Sequence, residues 1–205
     1  MNFVDRDDEW TDLEIEVIDR GFDVLQQRTG NTRLLKDTFA EGPLTFYKHL
    51  DLDNAAALNL LDYDGNTESY FREIQFADWN EQSDFENDFF ALTAVHEIAH
   101  NWDEAFQLDA AQEGLGDSWQ DFLDLSGWQE HRSRNHQRAD TAGWWHLRTA
   151  SFSESYGRTN PFEDSATMWE YYFLNGAGSS TQDHGELQAK YEWVDRLMDT
   201  VANLA

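Results

Sequence analysis

Ser83-Asp84-Phe85-Glu86-Asn87-Asp88-Phe89-Phe90-Ala91-Leu92-Thr93-Ala94-Val95-His96-Glu97-Ile98-Ala99-His100-Asn101-Trp102 carries two independent signals in one segment. Its first four residues form a Ser-x-x-Glu capping box. From there Phe85, Phe89, Leu92, Val95, Ala99, Trp102 and Phe106 recur every three or four residues, which predicts a long helix with one buried face. On that helix stands His96-Glu97-Ile98-Ala99-His100, an H-E-x-x-H pattern. A spacing of four places both imidazoles on one face, one turn apart, where both can reach a single ion at the roughly 2.0 Å of a zinc–nitrogen bond. Glu97 then projects beside the metal as a candidate general base.

The preceding sequence reads as one helix followed by a small sheet. From about Asp8 to Gln27, Trp10, Leu13, Val17, Ile18 and Leu25 lie at helical spacing, and Gly30 suits a C-terminal cap. After Gly42-Pro43, strand character is found over Leu44 to Tyr47, Leu58 to Tyr63 and Glu73 to Trp79. Asp62-Tyr63-Asp64-Gly65-Asn66 separates the last two as a hairpin turn. Its carboxylates invite calcium, but their spacing does not fit the helix-loop-helix calcium loop, so no calcium site is assigned. The strand over Arg72 to Trp79 reads equally as an interior strand or as an edge along which an extended peptide pairs.

The C-terminal half is expected to be mainly helical. Gly, Ser and charged clusters between about Gly114 and Ser155 predict a long irregular connection. Asn160-Pro161 then opens a helix, Asn as N-cap and Pro at the first helical position, with Phe162, Ala166, Trp169 and Phe173 as its inward stripe. A closing helix shows Leu187, Tyr191, Val194, Met198 and Val201.

Composition narrows the function classes. At 205 residues a single domain spanning 1–205 is the default, whether as a whole protein or a piece excised from a longer one. With 41 acidic against 14 basic residues the formal charge is -27, which repels phosphate backbones and argues against nucleic acid as a partner. Lys36, Lys48 and Lys190 are the only lysines, a bias that resembles proteins adapted to high salt, while carboxylates in such number equally suit secretion into calcium-rich surroundings. The absence of Cys leaves His and carboxylates as the only side chains for a metal. No stretch approaches the roughly 20 apolar residues of a membrane span, and the first residues lack the apolar region of a signal peptide; an extracellular location is nonetheless the expectation for this acidic chain.

A catalytic zinc takes three protein ligands and one open position. By chemistry the third ligand lies among Asp103, His131, His136, His146, Glu163 and other carboxylates of the middle region. Asp103, three residues past His100, reads first as a solvated surface group and second as a partner to an imidazole. Glu163, three residues after Asn160, reads on its own as a plain capping-box residue.

Ser155-Tyr156-Gly157-Arg158-Thr159-Asn160-Pro161-Phe162-Glu163 resembles the second signature of the anthrax lethal-factor-like zincins, a group that includes the Pro-Pro endopeptidases. Those proteins carry H-E-x-x-H on one helix and, downstream, a Tyr followed seven residues later by a zinc-ligating Glu. Leu125-Ser126-Gly127-Trp128 is also similar to segments of bacterial members. The resemblance implies an α+β zincin-like metallopeptidase, a small twisted sheet packed on the H-E-x-x-H helix. It implies one zinc ion held by His96, His100 and Glu163, Glu97 as general base, Tyr156 as oxyanion stabiliser, and a peptide or protein as substrate. The chain departs from the pattern at Thr167, where family members commonly carry a second acid one turn after the metal-binding Glu; Asp164 is the neighbour expected to share that work. A zinc-binding recognition or toxin-like module without catalysis is the alternative.

Overall fold

The computed structural model describes residues 2–6, 8–30, 33–36, 42–50, 52, 57–64, 69–77, 89–109, 118–175 and 183–203. It is a mixed α and β structure, as expected at that coarse level, and its contacts gather into two compact units, Met1–Trp102 and Asp103–Ala205. None of the described helices is long and apolar enough to cross a membrane.

The first unit contains strand β1 (Asn2–Asp5), helix α1 (Asp12–Thr29), strands β2 (Thr45–His49), β3 (Ala57–Asp64) and β4 (Ser69–Ala77), and most of helix α2 (Phe89–Asp109). The sheet order is β1-β2-β4-β3, with β1, β2 and β4 parallel and β3 antiparallel to β4. Helix α1 is the connection that a parallel β1–β2 pair requires. It starts at Thr11, whose side chain accepts from the Glu14 amide while Glu14 reaches back to the Thr11 amide, a capping box. It ends at Gly30, where φ of 69° is a left-handed conformation that glycine adopts at little cost.

Alternation in β2 puts Phe46 and Lys48 on the buried face. Phe46 lies 5.3 Å from Phe22 of α1 and 6.1 Å from Phe76 of β4, ring centroid to centroid. A lysine in that row needs an anion, and buried Glu14 of the capping box pairs with Lys48. Val17, Ile18, Phe22 and Leu25 complete the inner face of α1, and Ala94, Val95, Ile98 and Ala99 are buried on α2. Asn101 Nδ2 donates to Lys36 O at 2.9 Å and Trp102 Nε1 to Leu34 O at 3.2 Å, fixing α2 one turn past its histidines.

Helix α1 approaches α2 closely at Gly21, where an added Cβ would stand 2.6 Å from the carbonyl oxygen of Ala91. That atom is backbone, so Gly21→Ala forces the helices apart. Overpacking of about 1–3 kcal/mol outweighs the roughly 1 kcal/mol gained in helix propensity. A net loss of up to about 2 kcal/mol is expected in denaturant unfolding, and a higher midpoint would show that the approach is relaxed.

Three expectations need correction in this unit. Strand β1 was not foreseen, being four residues at the chain start. Strand β4 is interior, hydrogen-bonded to β2 and β3 on its two sides, so of the two roles considered for Arg72 to Trp79 its described part has the interior one; among the described strands β1 and β3 are the edges. Helix α1 begins at Asp12, after Trp10, because the Thr11 cap sets its start. The Ser83–Glu86 capping box, the tip of the β3–β4 hairpin at 65–68 and the side chain of Phe106 lie outside the described residues.

The second unit contains helix α3 (Ser118–Ser126), the two-stranded ribbon of β5 (His136–Arg138) and β6 (Trp145–Leu147), a 3-10 turn at Tyr156–Arg158, helix α4 (Pro161–Leu174), a second 3-10 turn at Gly185–Leu187 and helix α5 (Gln188–Asn203). The middle segment is therefore not the irregular connection expected of it. Trp119 and Phe122 bury one side of α3, and Gly127 at φ 62° ends it, with Trp128 N donating to Leu123 O and Gly127 N to Asp124 O in a Schellman closure. Helix α4 buries Ala166, Met168, Trp169, Tyr172 and Phe173, and α5 buries Tyr191, Trp193, Val194, Leu197, Met198 and Val201. Tyr172 Oη donates to Asp195 at 2.6 Å and Trp193 Nε1 to Ser118 O at 2.8 Å, binding α3, α4 and α5 together.

Candidate metal centre

The helical geometry expected of H-E-x-x-H is present. His96 is buried, His100 half-buried, and their rings lie 4.8 Å apart between centroids at 82° to one another. Glu97 is buried beside them.

Glu163 is positioned by the start of α4. Asn160 stands outside the helix in extended conformation, and its side-chain oxygen accepts from Phe162 N at 2.9 Å and Glu163 N at 3.0 Å, while Pro161 fills the first helical position. Asn160 thus caps this turn and fixes the backbone of Glu163 at its third position. One carboxylate oxygen of Glu163 and one ring nitrogen each of His96 and His100 all lie within 4.8 Å of one another. Among the described residues no other trio of His, Asp or Glu forms such a group, although the chain holds 41 acidic residues.

The donor set fits a zinc ion: two imidazole nitrogens and one carboxylate oxygen, with Glu97 outside the group.

Tyr156 lies in the 3-10 turn just before α4, its carbonyl accepting from Thr159 N at 2.9 Å. The residue is exposed, 52% of its surface reaching solvent. The turn rests on α4 at Gly157, where an added Cβ would meet Thr167 Oγ1 at 2.9 Å. Thr167 in turn donates to the Glu163 carbonyl at 2.8 Å. The small Thr167 side chain is thus the one against which the Tyr156 turn sits at Gly157.

The other candidates lie elsewhere in the network. Asp103 is not a solvated surface group: it is fully buried and accepts from Ser165 Oγ at 2.8 Å, because the face of α2 that bears it is covered. Asp164, the neighbour of Glu163, has a buried carboxylate that accepts from Ser126 Oγ, Trp128 Nε1 and Lys190 Nζ. His131 is exposed, and His136 on β5 pairs with Ser133. His146 on β6 is buried, donates from Nδ1 to Leu147 O at 2.8 Å, and is held by burial below the ordinary imidazole pKa. None of the three joins the metal group.

The residue that sequence reasoning missed is Lys190. A signal was present: with period 3.6, Leu187, Lys190, Tyr191, Val194, Met198 and Val201 share one face, and a lysine within an apolar stripe requires a buried anion.

Comparison of the chain with protein-family models, curated proteins and solved structures finds no match.

Proposed function

We propose that this chain is a zincin-like zinc endopeptidase. The observation that carries the reading is the convergence of His96 and His100, one helical turn apart, with the Glu163 carboxylate from a different helix. His96, His100 and Glu163 would hold the ion. A zinc ion in such a set acts as a Lewis acid toward a peptide carbonyl and raises the acidity of the attacking water. Glu97, adjacent to His96 on the same helix, accepts the proton of that water and returns it to the leaving amine. Tyr156, exposed at the head of α4, donates its phenol hydrogen bond to the oxygen on which negative charge develops. The acidic composition suits an extracellular, calcium-rich setting and equally a high-salt one.

One observation favours a second reading. Thr167 stands where the resembling peptidases carry an acid, and its hydroxyl is bonded within its own helix, which a zinc-binding module without catalysis would tolerate.

The deciding experiment combines metal analysis with cleavage of a combinatorial peptide library. The peptidase reading expects about one tightly held zinc per chain, cleavage abolished by a chelator, and recovery on adding zinc. Tight zinc with no cleavage would establish the non-catalytic module, and absence of tight zinc would remove both.

A further inference from the structure

Lys190 is almost wholly buried on α5, and all three of its N–H donors are accounted for. One goes to the Ser151 carbonyl at 2.7 Å, and two go to Asp164, at 2.6 Å to Oδ1 and 2.8 Å to Oδ2. The ammonium also sits 4.5 Å from the Phe152 ring centroid. Asp164 is itself fully buried and accepts from Ser126 Oγ and Trp128 Nε1, both at 2.9 Å, the two residues that the Gly127 turn presents at the end of α3.

Stability does not explain this arrangement. Burying two charges incurs a desolvation cost that a packed apolar pair of the same volume avoids, and such replacement is often neutral or stabilising. What an apolar pair cannot do is hold three backbone segments within hydrogen-bond tolerance of one point. The segments held here flank the functional residues. Ser151 lies five residues before Tyr156, and Asp164 is the residue after Glu163.

We propose that Lys190 is a positioning residue of the site: by gripping the Ser151 carbonyl and the Asp164 carboxylate on one ammonium, it sets the Tyr156 turn against the Glu163 turn. The proposal rests on the zinc peptidase reading. It explains how a chain with Thr167 in place of an acid still fixes the turn that bears Glu163. The sequence has three lysines, and two of them, Lys48 and Lys190, are buried in ion pairs with acids.

The test substitutes both charges at once, Lys190→Met with Asp164→Leu, so that no buried ion is left unpaired. The metal-free variant is expected to unfold cooperatively, at a midpoint no higher than the wild type because Ser126 Oγ, Trp128 Nε1 and the Ser151 carbonyl lose a partner. Its zinc affinity, read by competition with a chelator, is expected to weaken by about 10–100-fold, as when the supporting shell of a metal ligand is removed. Introducing Tyr156→Phe is expected to lower kcat much less in this variant than in the wild type, since Tyr156 is then no longer held in place. A folded double variant with wild-type zinc affinity and an unchanged Tyr156→Phe effect would overturn the proposal. Should the double variant not fold, Trp128→Phe, which removes one donor to Asp164 and keeps the ion pair, decides the matter: severalfold weaker zinc supports the role and unchanged zinc overturns it. Failure of the wild type to take up zinc would appear in the same titration before any variant, and would overturn the metal reading together with this one.

Discussion

Glu97→Ala is expected to keep a wild-type zinc content and to lose about 10²–10⁴-fold in kcat. The first half follows from the donor group, which consists of His96, His100 and Glu163 and does not include Glu97. It follows also from the backbone, because Ala is the best helix former and α2 is anchored near this position by Asn101 and Trp102. The second half follows from chemistry. On the peptidase reading the buried Glu97 carboxylate, next to an imidazole that would hold the metal, has a proton-transfer role that no alanine can take, whereas Lewis acidity and substrate binding would survive the substitution. The loss should therefore fall on kcat with KM little changed. Zinc analysis beside steady-state kinetics on one peptide checks both halves. Turnover within a few fold of the wild type would remove Glu97 from the reaction, and loss of zinc would make it part of the metal site instead.

How far the site was legible follows from the range of the interactions that build it. His96, Glu97 and His100 sit within five residues on a helix, so spacing alone defines their geometry. The start of α4 was equally legible, because Asn160 and Pro161 act on their own turn. Glu163 was different: its position as a capping residue is local, but its approach to two imidazoles more than sixty residues earlier is not, and only the resemblance through Tyr156 pointed there. Asp103 was misread because its burial depends on Ser165, a partner sixty-two residues away. The place of β4 between β2 and β3 is long-range in the same sense, since a strand carries no mark of its neighbours beyond its apolar pattern. Helix α3 was hidden by brevity: nine residues give two and a half turns, and its clearest sign, Gly127 after Leu125-Ser126, was weighed as family likeness and not as a helix stop.

Glu163→Gln isolates the third ligand with little else disturbed. Glutamine matches the volume of glutamate and suits a helix, and the first turn is capped by the Asn160 side chain through the Phe162 and Glu163 amides, so the metal-free fold should unfold at the wild-type midpoint. What changes is the charge and basicity of one donor among three. Loss of a direct ligand should exceed the roughly 10–100-fold that accompanies loss of a supporting group, and we expect zinc affinity to fall by about 10³-fold. Linkage turns this into a thermal readout. At free zinc about 1,000 times the wild-type Kd the ion stabilises the wild type by about 4.1 kcal/mol, and a Kd weakened by about 10³ leaves about 0.4 kcal/mol at the same zinc concentration. The zinc-induced rise in Tm should thus nearly vanish in the variant. A surface this acidic will also take up zinc weakly and non-specifically, so the comparison belongs in a chelator-buffered solution, where only a tight site remains loaded. Glu163→Gln protein that still shows the full rise under those conditions would mean that a different group completes the coordination, and the convergence of these three side chains would no longer support the peptidase reading.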